Sequence, residues 1–244
     1  ESEYVDQFWV GPVTGDGSLG IGAAILGMSA KHKVTAEQLS TPYLGTSATD
    51  DNLSELIREE DAYTIHDYSP STVGQLIQEE KIVATCRGKS EFGMRALGNR
   101  SILADPRTFG TIDRINEKVK LRDFWMPFTP SFMEDRVNDY IIKNSCNYSP
   151  YMTMAFDTVP QLRNQLSATI HPRDESVRPQ FVKRCNNEKY YDEIDSFYKI
   201  SGVPALLNTS FNLHGEPIVE TLEQALDVLG RCEIDALVTE NHIL

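Results

Sequence analysis

The chain is short of cysteine, histidine and basic residues, and it has no long apolar run. Only Cys86, Cys146, Cys185 and Cys232 occur in 244 residues. No Cys-x-x-Cys pair exists, so neither a zinc ribbon nor a dense disulfide framework is encoded, and the pattern fits reduced thiols inside a cell. The histidines, His32, His66, His171, His214 and His242, show no i, i+4 pair that would grip a metal on a helix. No apolar run approaches the roughly 18 residues of a membrane span, which predicts a soluble, cytoplasmic chain with no membrane partner. With 23 Lys and Arg against 36 Asp and Glu, the net charge is -13. That mean field repels a phosphate backbone and argues against nucleic acid as a partner. The 40% hydrophobic content suffices for one substantial core and a smaller appendage.

The cations that are present cluster. Arg87, Lys89, Arg95, Arg100, Arg107, Lys118, Lys120 and Arg122 fall in one stretch, while acidic residues gather in 50–61, 188–195 and 216–240. A local positive pocket on an acidic body suits a small polyanion such as ATP. The densest segment is Ser90 to Arg107, SEFGMRALGNRSILADPR, which follows an apolar β-branched run at Lys81 to Cys86. Gly93 and Gly98 bracket Arg95 and would let backbone approach a ligand. Arg95 and Arg100 offer planar forks for phosphate oxygens, and Lys89 a point charge. The same arginines can instead pair with Glu91 and Asp105 as structural ion pairs.

Two further places carry polar groups suited to a nucleotide. Lys120 and Arg122 lie two apart; in a strand both would point to one face and repel unless an anion lay between them. Pro204 to Asn212, PALLNTSFN, reads as an apolar strand running into Asn208, Thr209, Ser210 and Asn212, whose amides and hydroxyls can meet a ligand at the strand's mouth. Near the start, Thr14-Gly15-Asp16-Gly17 precedes an Ala- and Gly-rich apolar segment, Leu19 to Met28, read as a helix. Its first turn places Asp16 to meet a metal or nucleotide, or to serve as a helix cap. Periodicity predicts helices at Asp51–Glu60, Ser71–Glu80, Thr108–Lys118, Gln161–Gln165, Glu188–Ile200 and Leu222–Cys232. Strands or extended segments are predicted at Tyr63–Tyr68, Lys81–Cys86, Phe128–Phe132, Tyr151–Phe156, Ala205–Asn208 and Ala236–Thr239. The alternation predicts an α/β fold with a mixed sheet.

The pieces EFGMRALGNRSILADPR, KLRDFWMPFTPS, SPYM, SVRPQFV and LLNTSFNLHGEPIV resemble, in order, the C-terminal half of the O-carbamoyltransferases of the nodulation, cephamycin and aminoglycoside type. The resemblance implies a YrdC-like twisted mixed sheet with helices over residues 67–244, carrying a K-x-R signature (Lys120, Arg122) and an S-x-N signature (Ser210, Asn212). It implies that residues 1–66 are a linker and the C-terminal remnant of an actin-like domain. With Glu1 in place of a start methionine, the chain is expected to be a fragment not competent for the full reaction, with the N-terminal actin-like domain as its partner. The helix at Leu19 to Met28 would then pack on the second domain or on another copy in a homo-oligomer, or be poorly ordered.

The chemistry implied by the resemblance is ATP-dependent O-carbamoyl transfer. ATP, with Mg2+, and carbamoyl phosphate meet in the second domain, carbamoyl-adenylate forms, and the carbamoyl group passes to an acceptor hydroxyl compound. Lys120, Arg178 and Ser210 match the catalytic positions; Arg95, Lys89, Arg100, Arg122, Asn208 and Asn212 match substrate or nucleotide binding. Asp16 matches a metal ligand of the first domain, where relatives use a metal ion such as iron with an H-x-x-x-H pair that is absent here. Three departures stand out. Glu175 occupies the glycine of the relatives' D-G-T-x-R-x-Q pattern, which Asp174, Ser176, Arg178 and Gln180 otherwise match. Met94 replaces proline. Met126 replaces an arginine, which predicts a pocket that binds ATP and handles carbamoyl phosphate poorly. The alternatives are a nucleotide-binding regulatory or assembly module without turnover, and a threonylcarbamoyl-adenylate synthase-like protein of tRNA modification.

Overall fold

A computed structural model describes residues 4, 10–33, 41–57, 63–120, 126–142 and 148–244. In chain order its elements are α1 (Leu19–Ser29), β1 (Tyr43–Ala48), α2 (Leu53–Leu56), β2 (His66–Asp67), α3 (Pro70–Gln78), β3 (Val83–Cys86), β4 (Gly88–Glu91), β5 (Arg100–Ala104) and α4 (Phe109–Ile115). They continue as β6 (Thr129–Met133), β7 (Phe156–Asp157), β8 (Ser176–Val177), β9 (Gln180–Val182), α5 (Glu188–Ser201), β10 (Ala205–Ser210), α6 (Leu222–Arg231), β11 (Ala236–Val238) and β12 (His242–Ile243). The main sheet has eight strands in the order β2-β12-β11-β3-β5-β10-β6-β9. It is mixed: β11 with β3 and β6 with β9 run parallel, and the other neighbours run antiparallel. The expected mixed α/β class is therefore what the chain forms.

The central strands are apolar without alternation because both faces are covered. Val83, Leu103 and Leu206 face α3 and α5, where Val73, Ile77, Tyr190, Ile194 and Phe197 complete one core. Ala84, Ile102 and Leu207 face the other way, toward Ile115 of α4 and Ala225 and Val228 of α6. Each fully buried Leu or Ile of these strands contributes roughly 2 kcal/mol by removal of apolar surface from water. Local signals set the helix ends. Pro70 opens α3, Asn187 caps α5 by accepting from Tyr190 N, and Gly202 closes α5 in the left-handed region. Thr221 and Gln224 form a capping box on α6.

Several expectations shift. The segment Ser90 to Arg107, read as an anion loop, contains the wholly buried central strand β5. Lys120 ends a π-helical stretch, Asn116–Lys120, and does not sit in a strand. In the region expected to be linker, β1 pairs antiparallel with β4. Asp50 caps the C-terminal hairpin, accepting from Glu240 N and Asn241 N and pairing with His242 Nδ1 at 2.9 Å. Helix α1 forms, yet none of its residues is buried, and Leu19, Ile21, Ile25, Leu26 and Met28 are exposed. Packing of that helix on the second domain is thus absent among the described residues. Cys86, Cys185 and Cys232 carry free thiols.

Candidate active site

The end of β10, the start of β6, the β4–β5 loop and the β8–β9 connection surround a cavity of about 110 Å³. Its walls include Arg95, Arg178, Asn208, Thr209, Ser210 and Thr129, with Met94, Met152, Pro127 and Phe128. The cavity suits a small phosphorylated compound or the phosphate end of a larger one, since drug-sized ligands as a whole fill roughly 300–1,000 Å³.

Arg95 and Arg178 give the cavity its character. Neither makes a hydrogen bond or ion pair among the described residues, and the Nε of Arg178 is buried without a partner. Burial pushes the Arg178 guanidinium down to about 10, and repulsion from Arg95 adds to it. Burial likewise lowers Arg95. Two cations held half out of water with no counter-ion are costly; an anion between them removes the cost.

The loop that carries Arg95 is pinned on every side. One oxygen of Glu91 accepts from Leu97 N at 2.7 Å, Asn99 N at 2.8 Å and Arg100 N at 3.2 Å. Leu97 O accepts from Tyr43 Oη at 2.9 Å and Gln180 Nε2 at 2.9 Å. The nest of amides next to Arg95 therefore holds the protein's own carboxylate. Gly93 and Gly98 have positive φ, but their missing side chains serve packing and not ligand approach. A Cβ on Gly98 would lie 2.3 Å from the Tyr190 ring, and one on Gly93 would lie 2.8 Å from Pro12 O.

Behind the cavity wall, Lys120 is buried, with its ammonium shared among Ser210 O, Ser210 Oγ at 3.2 Å, Asn212 O at 3.0 Å and Asn212 Oδ1 at 2.7 Å. Ser210 Oγ donates to Asn212 Oδ1 at 2.6 Å, and Asn212 Nδ2 bonds Leu213 O and Glu216 O, which fixes the turn after β10. Lys120, Ser210 and Asn212 thus form one unit although 90 residues separate the lysine from the serine. Arg122 lies outside the described residues.

Other residues expected at the site lie elsewhere. Arg100 is fully buried and gives its donors to backbone carbonyls of Arg87, Asn99, Thr46, Gly88 and Glu220. It staples β3, β4, β5 and β1 together and has no fork left for phosphate. Lys89 is exposed on β4 opposite Ser47, away from the cavity. Asp16 is exposed in a short 3-10 turn, and no group of three potential metal ligands gathers among the described residues. Met126 is 38% exposed and does not line the cavity. Glu175 adopts φ 59°, a left-handed geometry that glycine takes without strain. Met152, at φ 54°, lines the cavity in the same strained region. The signals for Glu91, Tyr43, Ser131 and Met152 as supports of the site were weak in the sequence. Gln180 was marked by its match to the same pattern as Arg178, without a role.

Residues 74–244 match the family described as Carbamoyltransferase C-terminus. The chain is 36% identical to an uncharacterized protein of Methanocaldococcus jannaschii over 98% of this chain and 46% of that protein. It is 36% identical to nodulation protein NolNO of Sinorhizobium fredii, over 100% of this chain and 36% of the relative. With nodulation protein NolO of Bradyrhizobium diazoefficiens it shares 34% identity, over 97% of this chain and 44% of the relative. This chain belongs to the carbamoyltransferase C-terminus family, as a part similar to the C-terminal region of nodulation-type members. It spans less than half the length of these relatives. Among solved structures it is similar to full-length HypF in its phosphate- and nucleotide-bound form, at TM-score 0.47 and 13% identity, over 70% of this chain and 27% of that one.

Proposed function

We propose that this cavity activates a carbamoyl group for transfer to an acceptor hydroxyl. The observation that carries the reading is the pair of unpartnered arginines, Arg95 and Arg178, beside Ser210 and the buried Lys120, in a chain of the carbamoyltransferase family. In the reaction, carbamoyl phosphate is hydrolysed to carbamate and phosphate. A carbamate oxygen attacks the α-phosphorus of ATP, pyrophosphate leaves, and carbamoyl-adenylate results. The acceptor's hydroxyl oxygen then attacks the carbamoyl carbon, AMP departs and the hydroxyl proton goes to solvent. Arg95 and Arg178 hold phosphate oxygens, while Lys120 fixes Ser210 and adds positive charge behind it, where charge builds up at phosphorus.

Mg2+ reaches such sites on the nucleotide's own phosphates and needs few protein ligands. The described residues hold no group of three potential metal ligands, and no step is drawn through a resident metal. We propose that the acceptor contacts and the full transfer need an actin-like partner domain. Met126 lies off the cavity lining, and the donor we propose remains carbamoyl phosphate.

The test is release of phosphate and pyrophosphate from carbamoyl phosphate and Mg-ATP. We expect both products, and their loss in Arg178→Ala. Nucleotide binding with no pyrophosphate would mark a regulatory module and overturn the enzymatic reading.

A further inference from the structure

Asn208 stands in the middle of β10, fully buried, with its side chain at the cavity wall. Its orientation is dictated by its neighbours. Gln180 Nε2 donates to Leu97 O, so Gln180 Oε1 is an acceptor, and Ser131 Oγ donates to it at 2.8 Å. Ala96 O can only accept. The amide nitrogen of Asn208 must therefore face this group, and it does, at 3.3 Å from Ala96 O, 3.0 Å from Ser131 Oγ and 3.4 Å from Gln180 Oε1. The amide oxygen is left over: Asn208 Oδ1 is buried with no partner among the described residues. A buried acceptor without a donor is unfavourable, and in a strand this firmly paired it cannot turn away.

The polar inventory of the cavity is then asymmetric. Arg95 and Arg178 supply donors for an anion, and Asn208, which lines the same cavity, carries one unpartnered acceptor. An unprotonated phosphate oxygen cannot satisfy Asn208 Oδ1, because both are acceptors; a donor N–H or O–H can, and the N–H is the donor that a carbamoyl group brings. We infer that Asn208 is the specificity-determining residue that reads the amino group of the carbamoyl donor, so that the site accepts a phosphorylated amide and rejects the isosteric acyl phosphate that carries methyl in place of NH2. The inference rests on the carbamoyl-activating reading above and adds to it the group that recognises nitrogen. A site built to bond a polar group discriminates strongly against an analogue lacking it, since its own buried polar atom is then stranded.

Calorimetry with carbamoyl phosphate, acetyl phosphate and inorganic phosphate tests this on the unmodified chain. Carbamoyl phosphate should bind roughly ten- to hundredfold tighter than acetyl phosphate, the range expected for one buried hydrogen bond. In Asn208→Leu that ratio should fall to within about threefold. A purely structural role would weaken both donors alike and leave the ratio unchanged, which would overturn the inference. Equal affinity for the two donors in the unmodified chain would also overturn it, while leaving the anion site intact, and that comparison stands even if the variant does not fold. Failure to bind any of the three would sink the carbamoyl-activating reading and this inference together.

Discussion

Two groups of arginines drawn from the same chain meet opposite fates. Arg87 lies 2.5 Å from the Glu193 carboxylate, with both side chains nearly inaccessible, and Arg107 grips Asp105 and Gln78. With Arg100, held by carbonyls, they are spent on the fold. Arg95 and Arg178 touch no such partner among the described residues, and burial holds both below their ordinary range. Paired cations rigidify a core, whereas unpaired ones in a cavity are held ready for an anion from outside. A cluster of basic residues in a sequence is therefore a poor guide to a binding site until each partner is known.

Substitutions at the two groups should separate them. The largest effect is expected at Arg87→Met, which strands the Glu193 carboxylate in the core and should cost about 3–5 kcal/mol in denaturant unfolding. Arg178→Met should do the reverse: stability holds or rises, because an unpaired desolvated cation is removed, while phosphate affinity falls about 10- to 150-fold by calorimetry, the value of a charge-assisted hydrogen bond. Loss of stability without loss of binding at Arg178 would erase the distinction. Glu91→Ala lies between, since it frees three backbone N–H groups; we expect a loss of about 1–3 kcal/mol together with weaker phosphate binding as the Arg95 loop loosens.

The pH dependence sharpens the contrast. With Arg178 protonated below about 10 in the folded chain, phosphate binding should stay level from neutral pH and decline as pH passes 10. Stability shows the opposite sign. The folded pKa is depressed, so the unfolded chain binds more protons above 10, and the penalty for holding this cation fades as pH rises through that value. Titration of phosphate affinity alongside unfolding free energy would show the two trends diverging. The smallest effect is expected at Glu175→Gly, where relief of the left-handed backbone, offset by a more flexible unfolded chain and loss of the exposed Arg163 contact, should raise stability by up to about 1 kcal/mol. A measured decrease would show that the Arg163 contact matters more than the backbone geometry.

Much of the fold was legible because it rests on local patterns. Pro70 announced α3, the 3.6-residue period of Glu188–Ser201 announced α5, and the apolar run at Ala205 announced β10. The strand β5 was hidden because RSILA is only five residues long, flanked by charge, and its arginine resembled a ligand. Short strands such as β9 and β12 owe their extended form to partners distant in the chain, β6 and β2.

Residue order alone determined the α/β class and the resemblance that placed Lys120, Arg178, Ser210 and Asn208 among the candidate site residues, while the positive backbone angle at Glu175 came from the structure. Only the tertiary structure decided which cations remain free. Whether an arginine is a staple or a ligand depends on which carboxylates and carbonyls stand within about 3 Å, and for Arg100 those carbonyls arrive from segments as far away as Thr46 and Glu220. The vacant oxygen of Asn208 was decided in the same way, by Gln180 and Ser131 claiming the nitrogen on its other side.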